Sequence, residues 1–386
     1  MKKLAMGICI GLLADISVAI CSVPNGFTTG SGSRPSTIWF NPNINYAYAL
    51  LGGTNKIITY NYDKNAGKLI RIFSLELDSG GVTPTFGGTI DAKGNYMYVT
   101  NRDSSTIAVF KINQTNGELT QIQRFTTDTF PYVFAISPDG KYAYVSAPFS
   151  SRLLMFKINA DGTLAVLKTN THPDGYINTG VWPFVPSFSP TNNYLYLANY
   201  EQNNIVRYHY ESLTGDLIFD SGWSLGSSGN LLSQDLTKPY AILFDYNNKH
   251  AIVPADHVNK MYLYDFDNDS IIPNSKQLFV KTGINPNTFI QWYQDNQFSY
   301  MGNYEDSTIT EYRYNSDGTM EVIGQISTVF RPIVVRQPSD PKPTHLFVVS
   351  RDEDCIADYT VNPQTGDLEP RFVNTDATVN NLKNGI

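Results

Sequence analysis

The side chains of this 386-residue chain best suited to chemistry are few. Asp256 stands beside His257, and Glu305 follows Tyr304. A carboxylate with an imidazole helper has the make-up of a general base, able to take a proton from water. Asp256, His257 and Glu305 are therefore the candidate catalytic residues. Trp182, Tyr200, Glu201, Trp223 and Tyr304, together with Asp256 and His257, combine aromatic faces with polar acceptors. That mixture suits a polar small molecule, such as a sugar, or a protein loop. No metal or cofactor is expected. The histidines at 172, 209, 250, 257 and 345 show no ligand spacing. Asp265-x-Asp267-x-Asp269 lacks the glycine and distal glutamate of a calcium loop. No Gly-x-Ser-x-Gly, His-Glu-x-x-His or phosphate-loop phrase occurs.

These residues are spread over some 120 positions, so a scaffold must gather them. Seven times the chain repeats a proline, an apolar run, a polar turn and an aromatic-rich run. The prolines are Pro35, Pro84, Pro131, Pro183, Pro239, Pro286 and Pro332. The aromatic runs start at Tyr46, Tyr96, Tyr142, Tyr194, His250, Phe298 and His345, 46 to 56 residues apart. No segment has a 3.6-residue apolar period. A period near fifty built from short strands predicts an all-β, seven-bladed β-propeller with four antiparallel strands per blade. One blade cannot bury its two faces alone, whereas a closed ring buries nearly all of them. Complete blades are expected in order, the first from about Ser36 to Phe73 and the last from about Pro332 to Phe372, without sharing of strands between termini.

Successive strands of a blade run antiparallel, so second-to-third-strand loops share one face with the blade-to-blade crossovers. That face should collect Asn101-Arg102-Asp103, Tyr200-Glu201, Asp256-His257, Tyr304-Glu305 and Arg351 to Asp354. It should also receive the two longest crossovers, which carry His172, Asp174, Tyr176 and Trp182, then Trp223 and Asp235. The site is expected at the channel mouth between blades three and five, because long loops on a rigid scaffold are where binding concentrates.

The chain divides into a leader (1–19), a linker (20–34), the propeller (35–373) and a tail (374–386). Met1-Lys2-Lys3, an apolar core and Ser17-Val18-Ala19 have the form of a signal peptide, implying a secreted or periplasmic protein. No stretch is long and apolar enough to span a membrane, so a transmembrane protein is not expected. With 28 basic and 35 acidic residues the net charge is −7, which argues against nucleic acid as a partner. A monomer that binds a polar small molecule or a protein partner is expected. Cys21 and Cys355 would pair across the closure of the ring, stay free, or leave Cys21 as a lipid attachment point; spacing does not choose.

Ser137-Pro138-Asp139-Gly140-Lys141-Tyr142-Ala143-Tyr144-Val145 and Tyr96-Met97-Tyr98-Val99-Thr100-Asn101 resemble the lactonase-like, YVTN-type seven-bladed propellers. The resemblance covers nearly the whole propeller. It implies the fold and, through the family's bacterial 6-phosphogluconolactonases, lactone hydrolysis. Those enzymes carry Gly-Pro-Arg-His entering one blade and Asn-Glu leaving the next strand. Here Tyr240 and Ala241 hold the Arg and His places and Asp256 that of Glu. The function expected is ligand or partner binding on the loop-rich face, with a lactone hydrolase of altered specificity as the alternative.

Overall fold

The computed structural model describes residues 21–77, 87–224, 238–245, 248–256, 259–272, 278–286, 291–293, 297–315, 319–339 and 343–369. They form seven antiparallel sheets, each a blade. Blade one comprises Pro35–Phe40, Tyr46–Leu51, Lys56–Asp63 and Lys68–Glu76, paired in that order from the axis outward. The second strands read as continuous apolar runs because both of their faces are covered by neighbouring blades: all six residues of His250–Ala255 are buried. Outer strands alternate, and on Lys68–Glu76 Ile70 faces out.

The abundance of tyrosine has a specific cause at the seams. Tyr144 of blade three is fully buried and its hydroxyl donates to the Gly215 carbonyl of blade four at 2.7 Å. Gly215 has φ +73°, and a Cβ there would lie 2.4 Å from the Tyr142 ring, so the turn accepts only glycine. Tyr48, Tyr98 and Tyr300 make the same bond to Gly117, Gly162 and Gly366. Blades one, two, three and six are thus latched to the outer turn of the next. Blade five lacks the glycine and offers the Asp269 carbonyl to Tyr196 instead, with Asn268 and Asp269 both left-handed.

The last blade corrects the expectation of self-contained blades. Its outer edge, on Cys355–Val361, is shared: Leu368–Glu369 pairs with Thr360 and Val361, and Gly26–Thr28 pairs with Cys355 to Ala357. Residues 26–28 are therefore a strand of blade seven rather than linker. A disulfide joins Cys21 to Cys355, with Cα atoms 5.7 Å apart. Asp354 fastens the same segment, accepting from the Gly32 and Arg34 amides at 2.6 Å each.

A second correction concerns the first long crossover. The outer edge of blade three is made of two pieces, Leu164–Val166 and Tyr176–Asn178, both paired with Arg152–Ile158. The residues between them swing out along the rim. There His172 Nδ1 lies 2.8 Å from Asp216 Oδ1 of blade four, away from the loop-rich mouth. Trp223 likewise belongs to the outer strand Asp216–Ser224, opposite Ile205, and not to a loop over the mouth.

Candidate functional site

The loops after second strands and the crossovers do share one face, here the crossover face. At its mouth Tyr132, Phe184 and Tyr240, each directly after a blade-opening proline, converge from blades three, four and five. Phe184 lies 5.1 Å from Tyr132, 4.2 Å from Tyr240 and 6.0 Å from Tyr200, ring centre to ring centre. Trp182 extends this wall to Phe149 at 4.9 Å, and Phe149 to Phe130 at 5.4 Å. Phe130 and Phe149 are 40% and 56% exposed, so the wall ends in a ridge open to solvent.

Asp256 sits against this wall. It is 9% exposed, its Oδ2 accepts the Tyr200 hydroxyl proton, and its Oδ1 is buried with no hydrogen-bond partner among the described residues. Burial, reinforced by the Asp256 carboxylate, holds the Tyr200 phenol above its ordinary range, so it remains a donor. Lys238 sits 5.0 Å over the Tyr200 ring and is ion-paired with Glu201. Burial pushes Tyr132 up to about 12, against the pull of Arg102 and Arg351. Tyr240 is also raised by burial, within reach of the Asp256 and Arg336 charges. An acceptor with a spare lone pair and a phenol donor therefore meet beside one aromatic floor.

The backbone at the mouth is unusual. The residues before five blade-opening prolines, Arg34, Trp182, Lys238, Asn285 and Arg331, have φ of 46°, 61°, 55°, 57° and 52°. For non-glycine residues this costs on the order of 1 kcal/mol each. It is also a conformation that places their side chains around the mouth.

The chain matches the family described as lactonase, 7-bladed beta-propeller over residues 20–177 and 167–378. The chain belongs to this family. The 6-phosphogluconolactonase of Bacillus subtilis is 31% identical over 118 residues, which are 30% of this chain and 33% of that protein. That of Photorhabdus laumondii is 30% identical over 115 residues, 30% of this chain and 35% of it. The matches thus span about a third of these relatives' length. A putative 6-phosphogluconolactonase from Bacteroides uniformis superposes with TM-score 0.67 at 19% identity, covering 81% of this chain and 90% of that one. The periplasmic gluconolactonase of Pseudomonas aeruginosa gives TM-score 0.62 at 16% identity, covering 82% and 88%. At these identities the two structures speak for the fold.

Within this lactonase-family propeller the expected site residues separate into groups. Trp182, Tyr200, Glu201 and Asp256 come together. Tyr304 and Glu305 instead turn to blade seven: the Tyr304 hydroxyl lies 3.4 Å from Asp352, and Glu305 pairs with Arg331 at 3.6 Å. Glu305 is thus committed to an ion pair. His257 lies outside the described residues, as do Asp235, the leader and the tail. His250 and His345 are structural, facing Asp245 at 2.7 Å and Asp358 at 2.9 Å. Sequence reasoning passed over Lys238, Phe184, Tyr132 and Tyr240 as contributors. The signal was present: in three consecutive repeats the residue after the proline is aromatic.

A large cavity among the described residues lies elsewhere. It measures about 890 Å³ and opens on the opposite, turn face, at the inner ends of blades two, three and four.

Proposed function

We propose that this chain hydrolyses a hydroxylated lactone at the crossover-face mouth, with Asp256 as general base. The carrying observation is the Asp256 carboxylate, buried, fixed by Tyr200 through one oxygen and unpartnered at the other. The free oxygen would accept a proton from water as that water's oxygen bonds to the lactone carbonyl carbon. Arg102 and Arg351, each beside its own aspartate, carry the charges that reach Tyr132 and would add positive field for the oxyanion. Collapse breaks the ring C–O bond, and the proton held by Asp256 passes to the leaving alkoxide. The net change is lactone plus water to hydroxy acid. Tyr240, Phe184 and Trp182 would pack against the apolar face of the ring. The names of the relatives support this reaction class, and the periplasmic gluconolactonase among the similar structures supports a sugar lactone without phosphate. The signal-like leader, 1–19, accords with a reaction outside the cytoplasm.

The presence of Tyr240 and Ala241 where family enzymes carry Arg and His favours a second reading, binding of a polar ligand without turnover. Proton release from a panel of aldonolactones, followed at constant pH over the spontaneous rate, separates the two. Turnover by the wild type, reduced about 10²- to 10⁴-fold in Asp256→Asn, is expected. Saturable binding with no turnover of any lactone would establish the second reading, and an undiminished Asp256→Asn would remove Asp256 from the mechanism.

A further inference from the structure

We infer that the turn-face cleft is a second ligand site, built for an amphipathic organic anion with a flat apolar body and one carboxylate. It is independent of the crossover-face site, which lies at the other end of the ring.

The cleft exists because of one inner-strand position compared around the ring. The residue opposite the third residue of the second strand is Trp39 in blade one and Arg336 in blade seven. These two stack, the guanidinium carbon 4.1 Å from the indole centre, and fill their side of the axis. The same position is Thr89 in blade two and Ala135 in blade three. These small side chains leave the space that becomes the cleft, and both line it. Its volume of about 890 Å³ is that of a site for an organic molecule rather than a gap between side chains.

The chemistry of the walls is graded. The floor is apolar: Ile90, Phe134, Ile136, Pro186 and Phe188. The rim is polar, formed by the turns at Asp91 to Asn95 and Ser137 to Lys141. The rim carboxylates are already engaged. Asp139 Oδ1 accepts from Ser137, the Lys141 amide and Tyr210, while its Oδ2 pairs with Lys141 Nζ at 3.2 Å. Asp91 Oδ1 accepts from the Asn95 and Tyr96 amides at 2.7 Å each. Lys93 makes no side-chain bond among the described residues; only its carbonyl is used, by Asn43. An ammonium without a partner above an apolar floor selects a ligand that buries a ring and presents an anion to the rim.

The probe is 2-naphthoate, titrated calorimetrically into the full chain, with 2-naphthylmethanol as the uncharged control. One saturable site per chain is expected, weakened at least tenfold by Lys93→Ala and abolished by Ile136→Trp, which fills the cleft. The control should bind at least tenfold more weakly. Asp256→Asn should bind 2-naphthoate as the wild type does, so failure of the lactone reading leaves this result untouched. Lys93 is exposed, and its replacement cannot act through misfolding. No saturable binding, binding indifferent to both substitutions, or loss of binding in Asp256→Asn overturns the site. Equal affinity for the alcohol overturns its anion selectivity.

Discussion

The two ends of the ring are made from the same repeat yet solve different problems. On the turn face, conformation dictates the residues: Asx side chains close the turns, glycines take positive φ, and buried tyrosines latch onto their carbonyls. On the crossover face, residues occupy backbone they do not favour. Trp182, Lys238 and Arg331 hold left-handed positions before proline, where glycine would be relaxed. Strain that recurs at one end of a ring and falls on large or charged side chains marks the end where side chains matter more than conformation. The packing follows the same division: the crossover mouth is filled with rings, while the turn end is left open.

The largest test of this contrast is a pair of truncations. Phe184→Ala removes the centre of the aromatic floor, where Phe184 is 7% exposed, and should cost about 3–5 kcal/mol. Ile136→Ala trims a side chain that borders open cleft and should cost about 1–2 kcal/mol. Urea denaturation of both measures the difference; equal losses would mean that the turn end is as tightly packed as the other.

A smaller effect is expected from the strained backbone. Both Lys238→Gly and Lys238→Ala lose the Glu201 ion pair, but only glycine relaxes φ 55°. The glycine variant should therefore be the more stable by about 1 kcal/mol. Both should lose lactone turnover, because Tyr200 is then no longer clamped beneath the ammonium. Alanine equal to glycine in stability would show that the left-handed position carries no strain.

The smallest effect belongs to the turn face and appears in the pH dependence. Hydrogen bonding to Asp245 raises His250 above 6.5 despite burial. A raised histidine contributes stability that is fully present below the unfolded value of about 6.5 and lost as pH rises through the folded value. The advantage of wild type over His250→Gln, on the order of 0.5 kcal/mol, should shrink between pH 6 and pH 8.5 in thermal melts. An advantage that is constant with pH would mean that the histidine stays neutral.

Much of the architecture could be read from the sequence because its causes are local and repeated. The proline, the Ser-Pro-Asp-Gly turn and the glycine before the outer strand of every blade but the fifth each specify backbone conformation in place. The shared edge of blade seven was hidden, because Gly26–Thr28 is three residues long and its partner lies more than 320 positions away. The rim excursion of blade three was hidden for a similar reason: Tyr176–Asn178 rejoins an edge that Leu164–Val166 had left. At the site, Tyr200 and Asp256 were legible as loop residues on one face. Their mutual bond was not, since it depends on how two blades are rotated about the axis. The turn-face cleft was invisible because it arises from small residues, and Thr89 and Ala135 carry no chemical signal of their own.

The joining of Gly26–Thr28 and Cys21 to Cys355 sets an order of events for the ring. A ribosome makes the N-terminal strand first and its partner almost last. Blades one to six can form as they emerge, but the hoop cannot be sealed until residue 355 is available. Until then the N-terminal segment waits with its edge unmatched and its thiol unpaired. Once the bond forms, 335 residues lie inside a covalent circle, counting both cysteines from a separation of 334. Fraying from the amino end, the easiest way for a row of repeats to begin to come apart, is then closed to it.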